Sequence, residues 1–343
     1  MNETYSAAFY RGNRTFTIEK RSMSSPKPGE VSIRVDYCGI CGTDMHVFHG
    51  NMDERIGFER VIGHEMSGTV VAVGNDCNNM EPGNKVVVRP LDNCGDCPAC
   101  HAGYSHICHK LKFLGLDTHG AMQEFWTVPV HTVHVLPDNI QMDRAALIEP
   151  LAVACHDVRL SEIDEGEDVL VIGGGPIGAL VALMARNVGG KVVISEINPH
   201  RSAVLKKLDF DIVNPSEQEL VTEVNKRTSG KGIDVVFEVS GSQAGVDAMT
   251  AVAATRARLV LVAIHAMKPT IDLFQFFWRE LELMGVRVYE PQDYEQAIDI
   301  IANGKVDVDS LITDIRSLSE IQSAFEDLDR NPSAMKTLIS IGN

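Results

Sequence analysis

Four thiols crowd one short segment: Cys94, Cys97, Cys100 and Cys108 follow the spacing C-x2-C-x2-C-x7-C within fifteen residues. Thiolates that close together can wrap one tetrahedral ion, and a closed all-thiolate shell is the usual structural zinc arrangement. A ferredoxin-type iron–sulfur run begins with the same C-x2-C-x2-C, but its fourth cysteine comes after three residues and precedes proline. Here Cys108 comes after seven and precedes His109, so zinc is the better fit. Paired disulfides require an oxidising compartment, and the opening Met1-Asn2-Glu3-Thr4-Tyr5-Ser6 has no signal-peptide character.

A second stretch, Gly173-Gly174-Gly175-Pro176-Ile177-Gly178, reads G-x-G-x-x-G between the apolar run Asp168 to Ile172 and a segment of helix composition, Ala179 to Val188. In that context Gly173 allows the tight turn and Gly175 lets a pyrophosphate approach the backbone. Gly178 lets helix pack on strand, while Pro176 and Ile177 sit at the helix N-terminus that faces the phosphates. The next run, Lys191 to Ser195, ends on Glu196, twenty-one residues past Gly175, where a carboxylate can accept the adenosine ribose hydroxyls. Its charge repels a 2'-phosphate, so NAD is expected rather than NADP. Arg201, five residues on, is placed to serve such a phosphate; its plainer reading is a solvated helix residue.

These groups need two kinds of scaffold. From Val31 to Pro137, short β-type runs (Val31 to Tyr37, Gly68 to Val73, Lys85 to Arg89, Phe125 to Val130) are punctuated by glycine and proline, giving a β-rich unit. From Asp168 onward, apolar runs alternate with helix-length segments: Asp168 to Ile172, Lys191 to Ser195, Ile233 to Val239, Arg258 to Ile264 and Leu283 to Val288. That alternation predicts βαβ units and a parallel sheet. The join falls near Glu149-Pro150-Leu151, before a connecting helix Ala152 to Arg159.

At 343 residues the chain is long enough for two domains. A net charge of −16 opposes non-specific nucleic-acid binding. The longest uncharged stretch, Val169 to Ala185, is short and broken by glycine and proline, so no membrane span is expected. A cytoplasmic protein acting on a small molecule is the expectation.

Two further pieces carry metal-type ligands beside glycines: Gly39-Ile40-Cys41-Gly42-Thr43-Asp44-Met45-His46 and Gly63-His64-Glu65. Together with Glu149-Pro150 and the four-cysteine lobe, they resemble the zinc-dependent medium-chain dehydrogenases, the alcohol and polyol dehydrogenase family. The likeness extends over nearly the whole chain and is nearest to the sorbitol, threonine and butanediol dehydrogenase branch. It implies an α/β chain: a GroES-like β-rich catalytic domain over 1–150 and 288–343, interrupted by a doubly wound Rossmann domain over 151–287. It also implies two zinc ions, a homotetramer or homodimer, and NAD-dependent oxidation of a secondary alcohol on a polyol, sugar acid or related molecule. A sugar phosphate or an L-threonine-type substrate is the alternative.

By this resemblance the catalytic zinc takes Cys41, His64 and a carboxylate from Glu65 or Glu149. Asp44 orients His64, and Thr43 passes the alcohol proton towards His46. The metal is needed because an alcohol has a pKa of roughly 16, whereas zinc brings bound water to roughly 7, a difference of about 12 kcal/mol. A positioned general base alone contributes only about 3 to 5 kcal/mol. The likeness also places Phe48, Phe113 and Tyr289 near the substrate, and Arg287 or Arg279 would suit an acidic one. Cys38, Cys77 and Cys155 read as packing residues, and His101, His106 and His109 as surface residues. Three other classes compete: a zinc-stabilised redox sensor, which would lack a ligand; a zinc-free quinone reductase, which would lack both metal sites; and an iron–sulfur carrier, which would be coloured.

Overall fold

The strand Glu30–Gly39 is the axis of the first unit. Val31, Ile33 and Val35 alternate into the core while Arg34 stays exposed, the period-two pattern of a half-buried strand. It pairs antiparallel with Glu65–Val73, with Phe125–Pro129 and with the terminal strand Lys336–Ser340. Lys85–Val88, Val133–Val135 and Ile312–Ser317 complete a seven-stranded sheet. A smaller sheet of three strands, Thr4–Tyr10, Phe16–Ser22 and Arg60–Val61, stands beside it. A computed structural model describes residues 4–330 and 333–342. The first unit comprises Met1–Glu149, Ala297–Asn303 and Ile312–Asn343, and the second Pro150–Gln296 and Gly304–Leu311.

Register decides what meets near the end of the axial strand. Gly39 lies opposite Glu65 on one side and Leu338 on the other. With no side chain at Gly39, Glu65 and Lys336 approach each other above it. A methyl there would lie 2.3 Å from Glu65 Oε2, closer than real contacts come, and a tight 3.0 Å from Lys336 Cε.

The second unit holds a six-stranded parallel sheet. Its order is Asp211–Val213, Lys191–Ser195, Asp168–Ile172, Ile233–Glu238, Ala253–Leu261 and Glu282–Gly285. In chain order this is 3-2-1-4-5-6, the doubly wound Rossmann arrangement. The central strands are buried on both faces, as the near-continuous run Val169-Leu170-Val171-Ile172 requires. Helix Pro176–Asn187 starts on proline after Gly175, a position where the missing N–H costs nothing. A methyl at Gly178 would lie 1.8 Å from the Gly173 carbonyl, so only glycine allows the helix this close to the turn. Strand Asp211–Val213 is too short for its pattern to stand out in the sequence. No helix among the described residues is long and apolar enough to cross a membrane.

Candidate metal and cofactor sites

The first site begins with a helix cap. Cys41 is the N-cap of helix Gly42–Phe48, its sulfur 3.5 Å from the Thr43 N–H, while the Cys41 N–H donates to Asp44 Oδ2 at 2.9 Å. This capping box fixes the thiol at the helix start. The other Asp44 oxygen, Oδ1, stands 3.7 Å from His64 Nδ1, with both side chains buried. One aspartate thus holds the backbone of one metal-type donor and faces the ring of the other, without a hydrogen bond to it among the described residues. Phe113 packs edge-on to the imidazole at 5.1 Å.

Cys41, His64 and Glu65 bring a sulfur, a nitrogen and an oxygen within 4.8 Å of one another. Glu149 is buried, and its charge reaches both His64 and Lys336. Burial pushes the His64 imidazole down, but the Asp44, Cys41 and Glu149 charges outweigh it and hold it up at about 10. So much negative charge in a buried pocket favours a cation, and a divalent ion displaces the ring proton on binding. The donor set and the carboxylate behind the imidazole fit zinc. Thr43 lies at the start of this helix and His46 in its last turn.

Lys336 is the member that sequence reasoning missed. Its ammonium is buried, ion-paired with Glu65 Oε2, and donates to the Ile40 carbonyl at 3.1 Å. Burial favours loss of its proton, yet the Glu65 and Cys41 charges prevail and raise its pKa. The available signal was a lysine inside the apolar terminal strand Lys336 to Ile341.

In the four-cysteine lobe, the sulfurs of Cys97 and Cys100 are 3.5 Å apart, those of Cys97 and Cys108 3.7 Å, and those of Cys108 and Cys94 3.4 Å. These separations are far too long for disulfides, whose sulfurs lie about 2.0 Å apart, and near the edge of a zinc tetrathiolate with about 2.3 Å bonds. Backbone N–H groups of Cys94, Asp96, His109 and Lys110 point at sulfurs from 3.3 to 3.4 Å. Donation from the Cys100 and His109 backbones lowers Cys97 to about 6, which favours the thiolate a metal needs.

A third cluster has metal-type residues but already contains a cation. His156, Glu290 and Asp293 converge, and Arg159 fills the space. It donates to Asp293 Oδ1 at 2.7 Å and Oδ2 at 3.0 Å, and pairs with Glu290.

In the second unit, Glu196 is buried just beyond strand Lys191–Ser195. Its Oε2 accepts from the Gly174 N–H at 2.7 Å and its Oε1 from the Asn198 N–H at 2.6 Å. The carboxylate is therefore fixed against the glycine-rich turn. Arg201 is not simply solvated: a methyl at Gly175 would lie 3.5 Å from its Nη1, and its buried Nε has no partner among the described residues. An anion over the turn would satisfy it.

Several expected contacts have other duties. Phe48 is fully buried, between Phe16 and Phe325, and Tyr289 is fully buried against Tyr294. Arg279 donates to the Thr250 and Ala253 carbonyls, so it ties helix Leu273–Arg279 to the end of helix Gln243–Val252, while Arg287 is exposed. His106 is buried rather than on the surface. Cys38, Cys77 and Cys155 are buried, and burial pushes the Cys155 thiol to about 12.

Comparison with known proteins follows the same division. Residues 27–138 match the alcohol dehydrogenase GroES-like domain and residues 176–303 the zinc-binding dehydrogenase domain. The 2-dehydro-3-deoxy-L-galactonate 5-dehydrogenase of Pseudoalteromonas atlantica is 49% identical over 97% of this chain and 98% of its own. The L-galactonate-5-dehydrogenase of Escherichia coli is 30% identical over 94% of this chain and 95% of its own. Among solved structures, a zinc-binding dehydrogenase of Sinorhizobium meliloti with NADP bound superposes with a TM-score of 0.92 at 28% identity, covering 98% of this chain and 99% of that one. The chain belongs to the zinc-type medium-chain alcohol dehydrogenase family and is a secondary-alcohol dehydrogenase.

Proposed function

We propose that this enzyme oxidises a secondary hydroxyl of a deoxy sugar acid, of the 2-dehydro-3-deoxyhexonate class, with NAD. The convergence of Cys41, His64 and Glu65 carries the reaction chemistry. The substrate class is supported by similarity to the galactonate-type relative at 49% identity.

Bound at Cys41, His64 and a carboxylate of Glu65 or Glu149, zinc supplies Lewis-acid polarisation of the hydroxyl, and NAD supplies the hydride acceptor. The chain's own groups do the rest. Thr43 accepts the hydroxyl proton and passes it towards His46, on the same short helix. Asp44 holds the Cys41 backbone and faces the imidazole of His64. Lys336 pairs with Glu65 and holds it in place. Glu196 presents a carboxylate to the adenosine ribose, which favours NAD over NADP, and Arg201 over Gly175 faces the pyrophosphate. The four-cysteine lobe holds a second, structural zinc.

The working form is a homo-oligomer. Helix Leu273–Arg279 buries none of its residues and exposes Leu273, Phe274, Phe277 and Trp278 beside the sheet's edge strand Glu282–Gly285. An apolar face next to an unpaired edge suits a second copy of the chain, and light scattering reads its mass. For the activity, purified enzyme is offered hexonates, 2-dehydro-3-deoxyhexonates, polyols and sugar phosphates with NAD or NADP, following reduced nicotinamide. The keto-deoxy acids with NAD are expected to give the highest kcat/KM. Preference for an uncharged polyol or a sugar phosphate would overturn the substrate assignment.

A further inference from the structure

The Rossmann sheet reverses its strand order between Asp168–Ile172 and Ile233–Glu238, and dinucleotides lie across that point at the carboxyl ends of the strands. On one side Glu196, beyond the second strand, serves the adenosine ribose. The glycine-rich turn after the first strand serves the pyrophosphate, which is the middle of the cofactor. The nicotinamide nucleotide therefore extends over the opposite side, above the ends of the fourth and fifth strands.

One carboxylate is fully buried there. Glu238 Oε1 accepts from the Ser240 N–H at 3.0 Å, the Gly241 N–H at 3.1 Å and the Ser240 hydroxyl. The loop after the fifth strand packs against this turn: a methyl at Gly241 would lie 3.3 Å from the Ile264 carbonyl. From that loop His265 brings Nε2 to 3.2 Å from Glu238 Oε2, its side chain only 12% exposed. Ser240 also borders the cofactor turn, since a methyl at Gly173 would lie 3.0 Å from its nitrogen. Glu238, Ser240 and His265 thus form one polar group at the nicotinamide end.

The geometry points to His265 as a cofactor-binding residue that hydrogen-bonds the nicotinamide nucleotide, with Glu238 as the residue that positions its ring. Nε2 is buried 3.2 Å from the carboxylate, close enough to feel its charge though without a hydrogen bond among the described residues, and Nδ1 is the ring nitrogen left for a ribose hydroxyl or the carboxamide. A carboxylate behind a histidine is an arrangement that fixes ring orientation. This inference rests on the Rossmann cofactor reading.

The test compares two ligands on His265→Ala and His265→Gln. NADH carries the nicotinamide nucleotide; ADP carries only the adenosine half and the pyrophosphate. Binding is measured by NADH fluorescence and by calorimetry with ADP, after thermal melts show both variants folded. His265→Ala is expected to weaken NADH about five- to tenfold, the loss of one hydrogen bond, with ADP unchanged and His265→Gln in between. Equal weakening of both ligands would mark a structural residue, and no change in either would mark a bystander; each result overturns the proposal. A native chain that binds neither NADH nor NADPH would overturn the cofactor reading as well, which separates the two failures.

Discussion

The ammonium of Lys336 meets the carboxylate of Glu65 above Gly39, with the Ile40 carbonyl 3.1 Å from the ammonium. A buried ion pair is weak evidence for stability, because desolvation offsets the attraction. Its place beside Cys41 and His64 gives it another use, which is to hold one glutamate in a fixed orientation next to the metal donors.

Lys336→Met removes that partner and leaves Glu65 buried without its cation. Activity is expected to fall about 10- to 100-fold, as for residues supporting a metal shell, with Lys336→Arg retaining part of it. Steady-state kinetics and zinc content on folded protein read this out. Full kcat in the methionine variant would deny Lys336 a positioning role. Gly39→Ala is expected to do similar harm, since its methyl lies where Glu65 Oε2 sits.

In the cysteine lobe, Cys97→Ser should remove one zinc per chain and lower the melting temperature while leaving the chemistry of the surviving folded enzyme largely intact. The closed cage offers no open position to a substrate. A complete loss of turnover at unchanged stability would assign the lobe to catalysis instead.

Glu196→Ser should raise KM for NAD by about tenfold, one lost charge-assisted hydrogen bond, and narrow the preference over NADP. The carboxylate also accepts from the Gly174 and Asn198 N–H groups, so part of the effect comes from a loosened turn. An unchanged KM would remove Glu196 from the cofactor site.

Acid should weaken the Arg159 cluster. Burial raises the Asp293 carboxyl, but His156 and Arg159 outweigh that and lower it from 3.8 to about 2. The depressed folded value means the ionised form stabilises the fold above pH 3.8, and this contribution is lost as pH falls through about 2. The melting-temperature gap between wild type and Asp293→Asn should therefore shrink across that window. A gap that stays constant would dissociate the cluster from acid stability.

Much of this was legible because its signals are local. The glycine-rich turn, the acid after the second strand and the four clustered thiols each declare themselves within about twenty-five residues. Asp44 was legible for the same reason, three residues from Cys41. Lys336 was not: nearly three hundred residues separate it from Ile40, and only the antiparallel register of Glu30–Gly39 with Lys336–Ser340 brings them together. His265 likewise acquires meaning only when two parallel strands end side by side. Phe48 and Tyr289 are fully buried, and burial is something no short motif records.

The division between a reacting metal and a scaffolding one is tested most directly by zinc content and turnover of wild type and Cys41→Ser. Wild type is expected to hold two zinc ions per chain, and the serine variant to keep the cage zinc, remain folded and lose NADH formation from every secondary alcohol the wild type oxidises. Undiminished turnover in Cys41→Ser would contradict the assignment of the reacting metal to Cys41.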